Sequence, residues 1–582
     1  MRPPSFFGTL VLCGRVVATT SNPSVVDTKN NVTYKGLNRN GVEAFLNVPY
    51  GQDTSGANRF KPPRAFVPKS GSTINAQTYG PACPQPLGEG LPPLTLSNVT
   101  EISEDCLNLN IIRPTNVTTE DRLPVLVYIY GGGFWTGQNS ELVTQPDGMI
   151  LESVENGLPI IHVAMNYRLG VWGFAKSDAL NSEGSENAAL RDQRLAIEWV
   201  RDNIQNFGGD PSKITISGQS SGGLAVGMQI MAFGGSKPAP FQRGICESQA
   251  LEPGITGNFT INAMQAVVDY VGCNTTALHS PETVECLRGL SMETLEAAEE
   301  ATHGDDIAHN IGDIWLPTVD GDFLPLAPSQ LIAEHKFANV DVMMGWCQDD
   351  VALFTDTSIT TPAETQSFLS SYLPSLSTSN LNALLSLYPS TSFTATPSLS
   401  AEFHRTARIF RDILMVCEPV YYGAALAAAG NSVYLYEWNQ TILDPILAYL
   451  NEAPADLGVI HTSEFAYVFG NISHWDTAGY PFAPTPADYA LVSRGSRSWS
   501  TFASLGVPGT EDTDTFQGFG TSFRKGGDGG KNASFSVFVA GGPEEGFSPV
   551  DGDGARKVVR EQLLRERCGV INSEGFVREL GF

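Results

Sequence analysis

Basic residues are scarce in this chain. Its 582 residues include 35 lysines and arginines against 62 aspartates and glutamates, which gives a formal net charge of −27. An acidic surface of this kind repels the phosphate backbone of nucleic acids and the headgroups of anionic membranes. We therefore expect no nucleic-acid partner, and we interpret the charge as an aid to solubility.

Long hydrophobic runs are also missing beyond the N-terminus, so we expect no stable membrane anchor. At the start, Arg2 precedes a short apolar run over residues 6–13, and small residues follow. This pattern predicts a signal peptide over residues 1–18, with cleavage between 18 and 20. An ordinary N-terminal strand is the alternative, because Arg15 interrupts the apolar part. We expect residues 21–582 to form a single domain, since no internal repeat or long linker is present.

Glycosylation acceptors and cysteines both favour export. Acceptor triplets of the N-x-Ser/Thr type, which suit a secreted glycoprotein, begin at Asn31, Asn98, Asn116, Asn258, Asn274, Asn439, Asn471 and Asn532. Of the nine cysteines, Cys13 would leave with the signal peptide, and the other eight predict some disulfides without giving their pairing. We therefore expect a secreted, extracellular protein.

Strand and helix signals alternate along the first half of the chain. Apolar strands are expected over residues 123–130, 158–166 and 214–217, and an amphipathic helix over 187–207. Further along, the patterns predict strands over 340–345, 433–438 and 536–540, a helix over 554–567 and a polar, loop-rich and helical insertion over 371–400. Buried strands that alternate with helices indicate an α/β fold with a large, mostly parallel sheet covered on both faces.

The segment ITISGQSSGG, residues 214–223, reads as a strand, a tight turn and the start of a helix. It fits the G-x-S-x-G pattern of a nucleophile elbow with Ser220 at its centre. Gly218 and Gly222 flank the serine, where the turn is too sharp for a side chain. The pattern predicts that Ser220 is a nucleophile, provided that an oxyanion hole, an acid and a histidine accompany it.

A glycine triplet, Gly131-Gly132-Gly133, closely follows the apolar strand over residues 123–130. Such a loop lets backbone N–H groups approach a substrate without obstruction by side chains. We predict oxyanion donors at Gly132 and Gly133, with the N–H of Ser221 as the third. A plain glycine-rich turn is the alternative.

Histidine is rare, with eight residues in the chain. His162 lies inside an expected buried strand, which favours a structural role. His461 lies in a glycine-containing loop far beyond Ser220, where the base of an elbow-type hydrolase is expected. Asp349 and Asp350 follow the strand over residues 340–345 and are candidates for the acid that orients the base. From these residues alone, the alternative is that His461 has no catalytic role and that Asp349 and Asp350 are solvated side chains on a loop.

Eight segments occur in a characteristic order along the chain: FLNVPYG, SEDCLNLNI, YIYGGGFWTG, NYRLGVWGF, LRDQRLAIEWVRDNIQNFGGDPSKITISGQSSGG, TVDGDFLP, GWCQDDV and LGVIHTSEFAYVFG. In this order they resemble the type-B carboxylesterase/lipase family, which includes cholinesterases and fungal lipases. The resemblance covers nearly the whole mature chain. It implies an α/β-hydrolase fold with helical and loop insertions around the active-site entrance, and neither a cofactor nor a metal.

The resemblance implies a catalytic role for three side chains. Ser220 matches the nucleophile and His461 the general base. The family usually has G-x-N-x-D-E-G at the acid loop, and residues 345–351 read GWCQDDV here, so Asp350 replaces the usual glutamate. Aspartate is one methylene shorter, so its loop must approach His461 more closely, and Asp349 is the second choice for the acid.

The resemblance also implies cross-links and ion pairs in the scaffold. The implied disulfides are Cys83–Cys106, Cys273–Cys286 and, as in the cholinesterase branch, Cys417–Cys568. Cys246 and Cys347 would then be free and buried. The implied structural ion pairs are Arg59–Glu104 and Arg168–Asp192.

Two departures argue against a choline ester as the substrate. Cholinesterases carry a tryptophan in the first disulfide loop that stacks on the quaternary ammonium, but residues 84–105 contain no aromatic side chain. Cholinesterases also have glutamate before the serine, where this chain has Gln219. We therefore predict a secreted, fungal-type serine esterase that hydrolyses hydrophobic or aromatic carboxylic esters through an acyl-enzyme.

Three alternatives remain at this point. Leucines at 87, 91, 94 and 96 are consistent with an apolar lid between Cys83 and Cys106, as in a triacylglycerol or sterol-ester lipase, although the loop looks short for one. A specialised esterase for feruloyl, tannin or mycotoxin esters is the second alternative. The third is a catalytically inactive adhesion or binding protein. The substrate is expected to be a small-molecule or lipid ester, and the sequence does not indicate the oligomeric state.

Overall fold

The structure is a computed structural model that describes residues 22–306, 313–480, 483–524, 526 and 534–582. The predicted signal peptide and the sequon at Asn532 lie outside the described residues. None of the described helices is both long and apolar enough to cross a bilayer.

The described strands are short and most lie in one sheet. They are β1 (Ser24–Asp27), β2 (Val32–Lys35), β3 (Leu37–Arg39), β4 (Val42–Pro49), β5 (Thr73–Asn75), β6 (Gly88–Glu89), β7 (Asn98–Val99), β8 (Asn108–Pro114), β9 (Leu123–Ile129), β10 (Ile161–Met165), β11 (Gly209–Gln219), β12 (Arg243–Glu247), β13 (Asp341–Cys347), β14 (Val433–Trp438), β15 (Ser536–Ala540) and β16 (Gly546–Pro549).

The helices of the described ranges alternate with the later strands. They are α1 (Asp147–Glu155), α2 (Gly170–Phe174), α3 (Asp178–Ser182), α4 (Ala188–Asn203), α5 (Ser221–Met231), α6 (Phe259–Tyr270), α7 (Pro281–Arg288), α8 (Met292–Asp306), α9 (Pro328–Ala333), α10 (Pro362–Tyr372), α11 (Thr378–Ser386), α12 (Ala401–Arg411), α13 (Cys417–Ala428), α14 (Leu443–Leu450), α15 (Phe465–Val468), α16 (Ile472–Thr477), α17 (Pro486–Leu505), α18 (Lys557–Arg560), α19 (Leu564–Ile571) and α20 (Glu574–Leu580).

The main sheet has eleven strands in the order β16-β15-β14-β13-β12-β11-β9-β10-β8-β4-β3. Its centre, β9 to β15, is parallel, and both edges are antiparallel. Every residue of β10 and β14 is buried, so helices and loops cover both faces there. This confirms the predicted mostly parallel α/β architecture. The carboxyl ends of β11 and β13 lie at one edge of the sheet, because both strands pair in parallel with β12.

The expected helix over residues 554–567 differs in the structure. It is divided into α18 and α19, and Leu563 between them has a left-handed backbone, with φ of 51°. A continuous helix requires negative φ at every residue, so the chain turns there. The sequence pattern predicted a helical stretch here but not this interruption.

Three disulfides cross-link the described chain, and they are the three implied by the family resemblance: Cys83–Cys106, Cys273–Cys286 and Cys417–Cys568. Cys246 and Cys347 are free and buried. The two expected ion pairs are also formed, Arg59–Glu104 at 2.6 Å and Arg168–Asp192 at 2.7 Å. Both are buried, with their charges paired as a low-dielectric interior requires.

The structure corrects one glycosylation candidate. Asn471 is only 2% exposed, and its Nδ2 donates to the carbonyl oxygens of Leu142 and Val143. A glycan on that nitrogen would break both hydrogen bonds and has no space, so Asn471 is not an acceptor in the folded protein. Asn439 is half-buried, and the other described acceptors are exposed: Asn31, Asn98, Asn116, Asn258 and Asn274.

Candidate active site

Ser220 occupies a strained turn between β11 and α5. Its φ is 59° and its ψ is −134°, a backbone conformation that residues other than glycine rarely adopt. A Cβ on Gly218 would overlap the carbonyl oxygen of Gly222, and a Cβ on Gly222 would overlap that of Ile129. The backbone N–H of Ser220 donates to the carbonyl of Glu247 at 2.8 Å, which ties the turn to β12. The sequence context therefore folds as predicted, with Ser220 at its apex.

The glycine loop after β9 packs directly against this turn. A Cβ on Gly131 would overlap the carbonyl oxygen of Gln219 and lie 2.9 Å from the Cβ of Ser220. Gly132 and Gly133 have φ of 109° and 64°. Their N–H groups donate to no acceptor among the described residues. The loop therefore presents two unused donors close to the serine.

Ser221 helps to hold the glycine loop in place. Its Oγ accepts a hydrogen bond from the N–H of Phe134 at 3.1 Å. The carbonyl of Gly132 accepts from the N–H groups of Trp135 and Thr136, both at 3.0 Å. Because Ser221 is the first residue of α5, its own N–H has no partner within the helix.

The acid and the histidine meet across two loops that are hydrogen-bonded to each other. His461 Nδ1 lies 2.5 Å from Oδ1 of Asp350. The backbone N–H of His461 donates to the carbonyl of Asp350 at 3.1 Å, and that of Asp349 donates to the carbonyl of Val459 at 2.9 Å. The second oxygen of Asp350 accepts from the N–H of Cys347 at 2.7 Å. This close pairing of the loops lets the shorter aspartate reach the imidazole.

Asp349 has a different environment. Its Oδ2 accepts from the N–H of Val459 at 3.1 Å, and its Oδ1 lies 3.8 Å from Arg408. A Cβ on Gly458, whose φ is 84°, would overlap the Asp349 carboxylate. Asp349 therefore anchors the loop that precedes His461 and does not contact the imidazole.

The structure does not join Ser220 to His461 by a hydrogen bond. Instead, Nε2 of His461 lies 3.0 Å from Nε2 of Gln219, the residue before the serine. The sequence analysis identified Gln219 only as a departure from cholinesterases and missed this contact. No local signal could have revealed it, because the two residues are 242 positions apart.

A second feature that the sequence analysis missed is a group of buried acids behind the imidazole. Glu464, three residues after His461, accepts a hydrogen bond from the thiol of Cys347 at 3.1 Å. Cys347 is therefore more than a small apolar residue. Burial raises the pKa of Glu464 to about 7, and the charge of Asp350 adds to this shift. Burial likewise raises the pKa of Glu247, with Glu464 as its charged neighbour.

The protonation of His461 reflects two opposing influences. Burial by itself lowers the pKa of the imidazole, because the charged form loses its hydration. The carboxylates of Asp350, Glu464 and Asp313 together outweigh burial, and the pKa of His461 lies above its ordinary value. Since a carboxylate can only accept, Nδ1 carries a hydrogen and the neutral ring has its lone pair on Nε2. The histidine can therefore act as a base through Nε2.

A cavity of about 400 Å³ lies near His461, although neither His461 nor Ser220 is among the residues that line it. The ring of Phe354, which forms part of its wall, packs edge-on to the imidazole of His461, with ring centroids 5.4 Å apart. The other lining residues come from the loop after Asp350, from α10 and from the loop before His461: Leu353, Thr355, Asp356, Thr357, Phe368, Tyr372, Glu452, Ala453, Pro454 and Leu457. A small organic group fits a cavity of this size.

Among the described residues, no group of three or more His, Cys, Asp or Glu side chains is arranged to hold a metal ion. A hydroxyl on a strained turn, an imidazole oriented by a carboxylate and free backbone donors are the parts that acyl transfer uses.

Comparison with known proteins gives consistent results. The sequence profile described as the carboxylesterase family matches residues 18–525. A protein named secreted lipase from Arthroderma benhamiae is 53% identical over 97% of this chain and 96% of its own length. A second relative, from Byssochlamys spectabilis, is 37% identical over 84% of each chain and is named inactive carboxylesterase-like protein VdtD.

Solved structures show the same fold. Aspergillus niger EstA superposes with a TM-score of 0.74, covering 94% of this chain and 98% of that one, at 24% sequence identity. The architecture is therefore the α/β-hydrolase fold. With a family match over most of its length, this chain belongs to the carboxylesterase family and is a carboxylic ester hydrolase.

Proposed function

We propose that the chain is a secreted serine esterase in which Ser220 attacks the ester, His461 is the general base and Asp350 orients the imidazole. The observation that carries this proposal is the 2.5 Å contact between His461 and Asp350. The strained turn at Ser220 supports it, because that turn adjoins the imidazole through Gln219. Catalytic hydrogen bonds are often long or poorly aligned before substrate binds, so the missing contact between Ser220 and His461 is compatible with this role.

The reaction proceeds in two balanced halves. Nε2 of His461 takes the proton of Ser220 as Oγ bonds to the carbonyl carbon, and the π electrons move onto the carbonyl oxygen. The N–H groups of Gly132, Gly133 and Ser221 donate to that oxyanion, and losing one such donor costs about 10²–10³ in rate. The C–O bond to the alcohol then breaks, and the alcohol takes the proton from Nε2. Water repeats the sequence on the acyl-enzyme and releases the acid.

The cavity beside Phe354 supports hydrophobic or aromatic esters as substrates. Its walls combine three aromatic rings and two leucines with four polar side chains, so the apolar part is one side of the cavity: Thr355, Asp356, Thr357 and Glu452 are polar, and Phe354, Phe368, Tyr372, Leu353 and Leu457 are apolar or aromatic. Burying an apolar group against such side chains yields roughly 25 cal/mol per Å². We infer that one side of the ester packs there, next to the base. A panel of p-nitrophenyl and naphthyl esters of increasing acyl length should show kcat/KM rising with apolar size until the cavity is full.

Export is part of the proposal. Five exposed acceptor asparagines, three disulfides and a relative named as a secreted lipase support it. Expression in a fungal host should release a glycosylated protein whose mature N-terminus begins between residues 19 and 21. Retention of the full-length chain inside the cell would contradict secretion.

A lipase is the second candidate function. In the loop closed by Cys83 and Cys106, Leu87 is 61% exposed and Leu91 is 47% exposed. Exposed leucines next to a disulfide can contact a lipid surface. If the protein is a lipase, its rate should rise sharply once a triglyceride forms an emulsion. The double substitution Leu87→Ser/Leu91→Ser should abolish that rise, whereas Val67→Ser, at an exposed residue outside this loop, should not.

Covalent labelling tests the catalytic proposal against an inactive binding protein. An alkyl fluorophosphonate should label the wild-type protein on Ser220 and abolish its activity. Ser220→Ala should neither react nor turn over an ester, yet should unfold at the wild-type temperature. Undiminished hydrolysis by folded Ser220→Ala would refute the proposal, and a wild-type protein that does not label would favour the binding protein.

A further inference from the structure

Gln219 is the polar group that occupies the basic nitrogen of His461. It is the last residue of β11 and only 2% exposed. Nδ1 of the imidazole faces Asp350 and carries a hydrogen, so Nε2 offers a lone pair to the Gln219 amide 3.0 Å away. The amide N–H donates to that lone pair. Both ring nitrogens are thus hydrogen-bonded in the absence of an ester.

The charged groups with the largest influence on His461 are all acids. Asp350 lies on the loop after β13, Glu464 precedes α15, and Asp313 approaches from the segment before α9. Their negative charges all favour the protonated imidazole. Glu247, at the end of β12, acts on Glu464 and belongs to the same buried group. Against this acidic background, the uncharged amide of Gln219 is a donor that favours the neutral ring.

A donor on Nε2 has a definite electrostatic consequence. The hydrogen bond exists only while Nε2 is unprotonated, so it stabilises the form that can accept the proton of Ser220. A carboxylate in the same place would have the opposite effect, because it would attract the imidazolium. An amide or an acid at residue 219 therefore changes the proton affinity of His461 directly, and in opposite directions.

We propose that Gln219 is a positioning residue that stabilises the unprotonated form of His461. By this effect it sets the lowest pH at which the esterase is active. This inference rests on the proposed role of His461 as the general base. The amide keeps Nε2 free of a proton until the ester arrives. The Ser220 hydroxyl then replaces the amide on Nε2, because only one hydrogen can occupy that lone pair.

The test measures the proton affinity of His461 without needing activity. Histidine-selective ¹³C/¹⁵N labelling of the Ser220→Ala protein, with assignment by His461→Gln, gives the pKa of the imidazole by NMR titration. Adding Gln219→Met, which keeps the size of the side chain but removes the donor, should raise that pKa. Adding Gln219→Glu should raise it further, by about one unit or more. In both cases Nδ1 should remain bonded to Asp350.

Kinetics provide the second measurement. In enzymes with Ser220 intact, the acid limb of kcat/KM should move to higher pH by the same amount as the NMR titration. For the glutamate variant, a shift of one unit means about tenfold lower kcat/KM at pH values well below the wild-type pKa. A purely structural role would lower the rate at all pH values and leave the limb in place.

Gln229→Met is the matched control. Gln229 is a fully buried glutamine on α5 whose amide donates to the carbonyl of Leu190 and does not contact His461. It should leave the titration of His461 unchanged. An unchanged or lower pKa in Gln219→Met would overturn the proposal. Activity of Ser220→Ala would instead refute the esterase mechanism, and the NMR comparison would still stand.

Discussion

At the scale of single residues, Asp350 and its neighbour Asp349 differ in the groups that their carboxylates contact. Asp350 reaches the imidazole at 2.5 Å, whereas Asp349 accepts a backbone N–H from the loop before His461. Two adjacent residues of one type therefore have different partners, the imidazole of His461 for Asp350 and the loop before His461 for Asp349.

Asp350→Asn should reduce kcat strongly. An amide nitrogen facing Nδ1 favours the wrong tautomer, and in a serine protease triad the same change lowers kcat by about 10⁴. The measurement is kcat with a soluble aryl ester at neutral pH. Asp349→Asn is the control, because asparagine can still accept from Val459 through its Oδ1 and should keep most of the activity. Equal losses in the two variants would contradict the assignment of the acid.

Single residues also show which parts of the site a local sequence motif can predict and which it cannot. The turn at Ser220 is fixed by Gly218 and Gly222, whose Cα atoms closely approach other backbone atoms, so ten consecutive residues were enough to predict it. The partner of Nε2 was not predictable in this way. Gln219 and His461 meet only because β11 and the loop before α15 are brought together by the whole sheet.

At the scale of elements, β10 is buried on both faces and includes His162 without any hydrogen bond to its ring. Burial lowers the pKa of His162 to about 3, so the ring stays neutral in the folded protein. The neighbouring rings of Tyr128 and Phe469 lie about 6 Å away. A histidine in a strand of this kind fills space, as the sequence predicted, but it also makes the strand sensitive to acid.

His162→Phe should make the protein less sensitive to acid. The unfolded chain binds a proton at His162 below about pH 6.5, while the folded chain binds one only near pH 3. Between these values the unfolded state holds more protons, so stability falls as the pH falls, by about 1.4 kcal/mol per unit from this residue. Unfolding temperatures of wild type and variant at several pH values from 7 to 4 test this. Parallel curves would contradict the prediction.

Element boundaries were less predictable than element types. The apolar run over residues 123–130 and the helix over 187–207 correspond to β9 and to α4 with its 3₁₀ extension. The sequence analysis did not predict the interruption at Leu563. Its backbone is left-handed, but leucine is not a residue type, such as glycine or asparagine, that favours this conformation.

At the scale of the whole molecule, the disulfide Cys417–Cys568 joins the start of α13 to α19 across 151 positions, whereas Cys273–Cys286 spans 13. Closing the longer loop removes more conformational entropy from the unfolded chain. The chain-entropy relation puts the difference at about 2 kcal/mol near 25 °C.

Removing the long-range disulfide should therefore lower stability more than removing the local one. Cys417→Ala/Cys568→Ala should show the larger fall in unfolding temperature, and Cys273→Ala/Cys286→Ala is its matched control. Calorimetry or circular dichroism under non-reducing conditions gives both values. A local variant that loses as much as the long-range one would contradict the entropic account.

The sequence by itself determined the parallel sheet and the tight turn at Ser220, because these depend on local backbone sterics and on the periodicity of apolar residues. The proposed order of serine, acid and histidine rested on the elbow motif and the family resemblance. The tertiary structure alone decided that Asn471 is buried and that Gln219 lies on the basic nitrogen, and it places Asp350, the acid that the family resemblance favoured, in contact with the imidazole. These contacts depend on ångström-scale distances between loops far apart in the chain, and only the packed sheet brings those loops together.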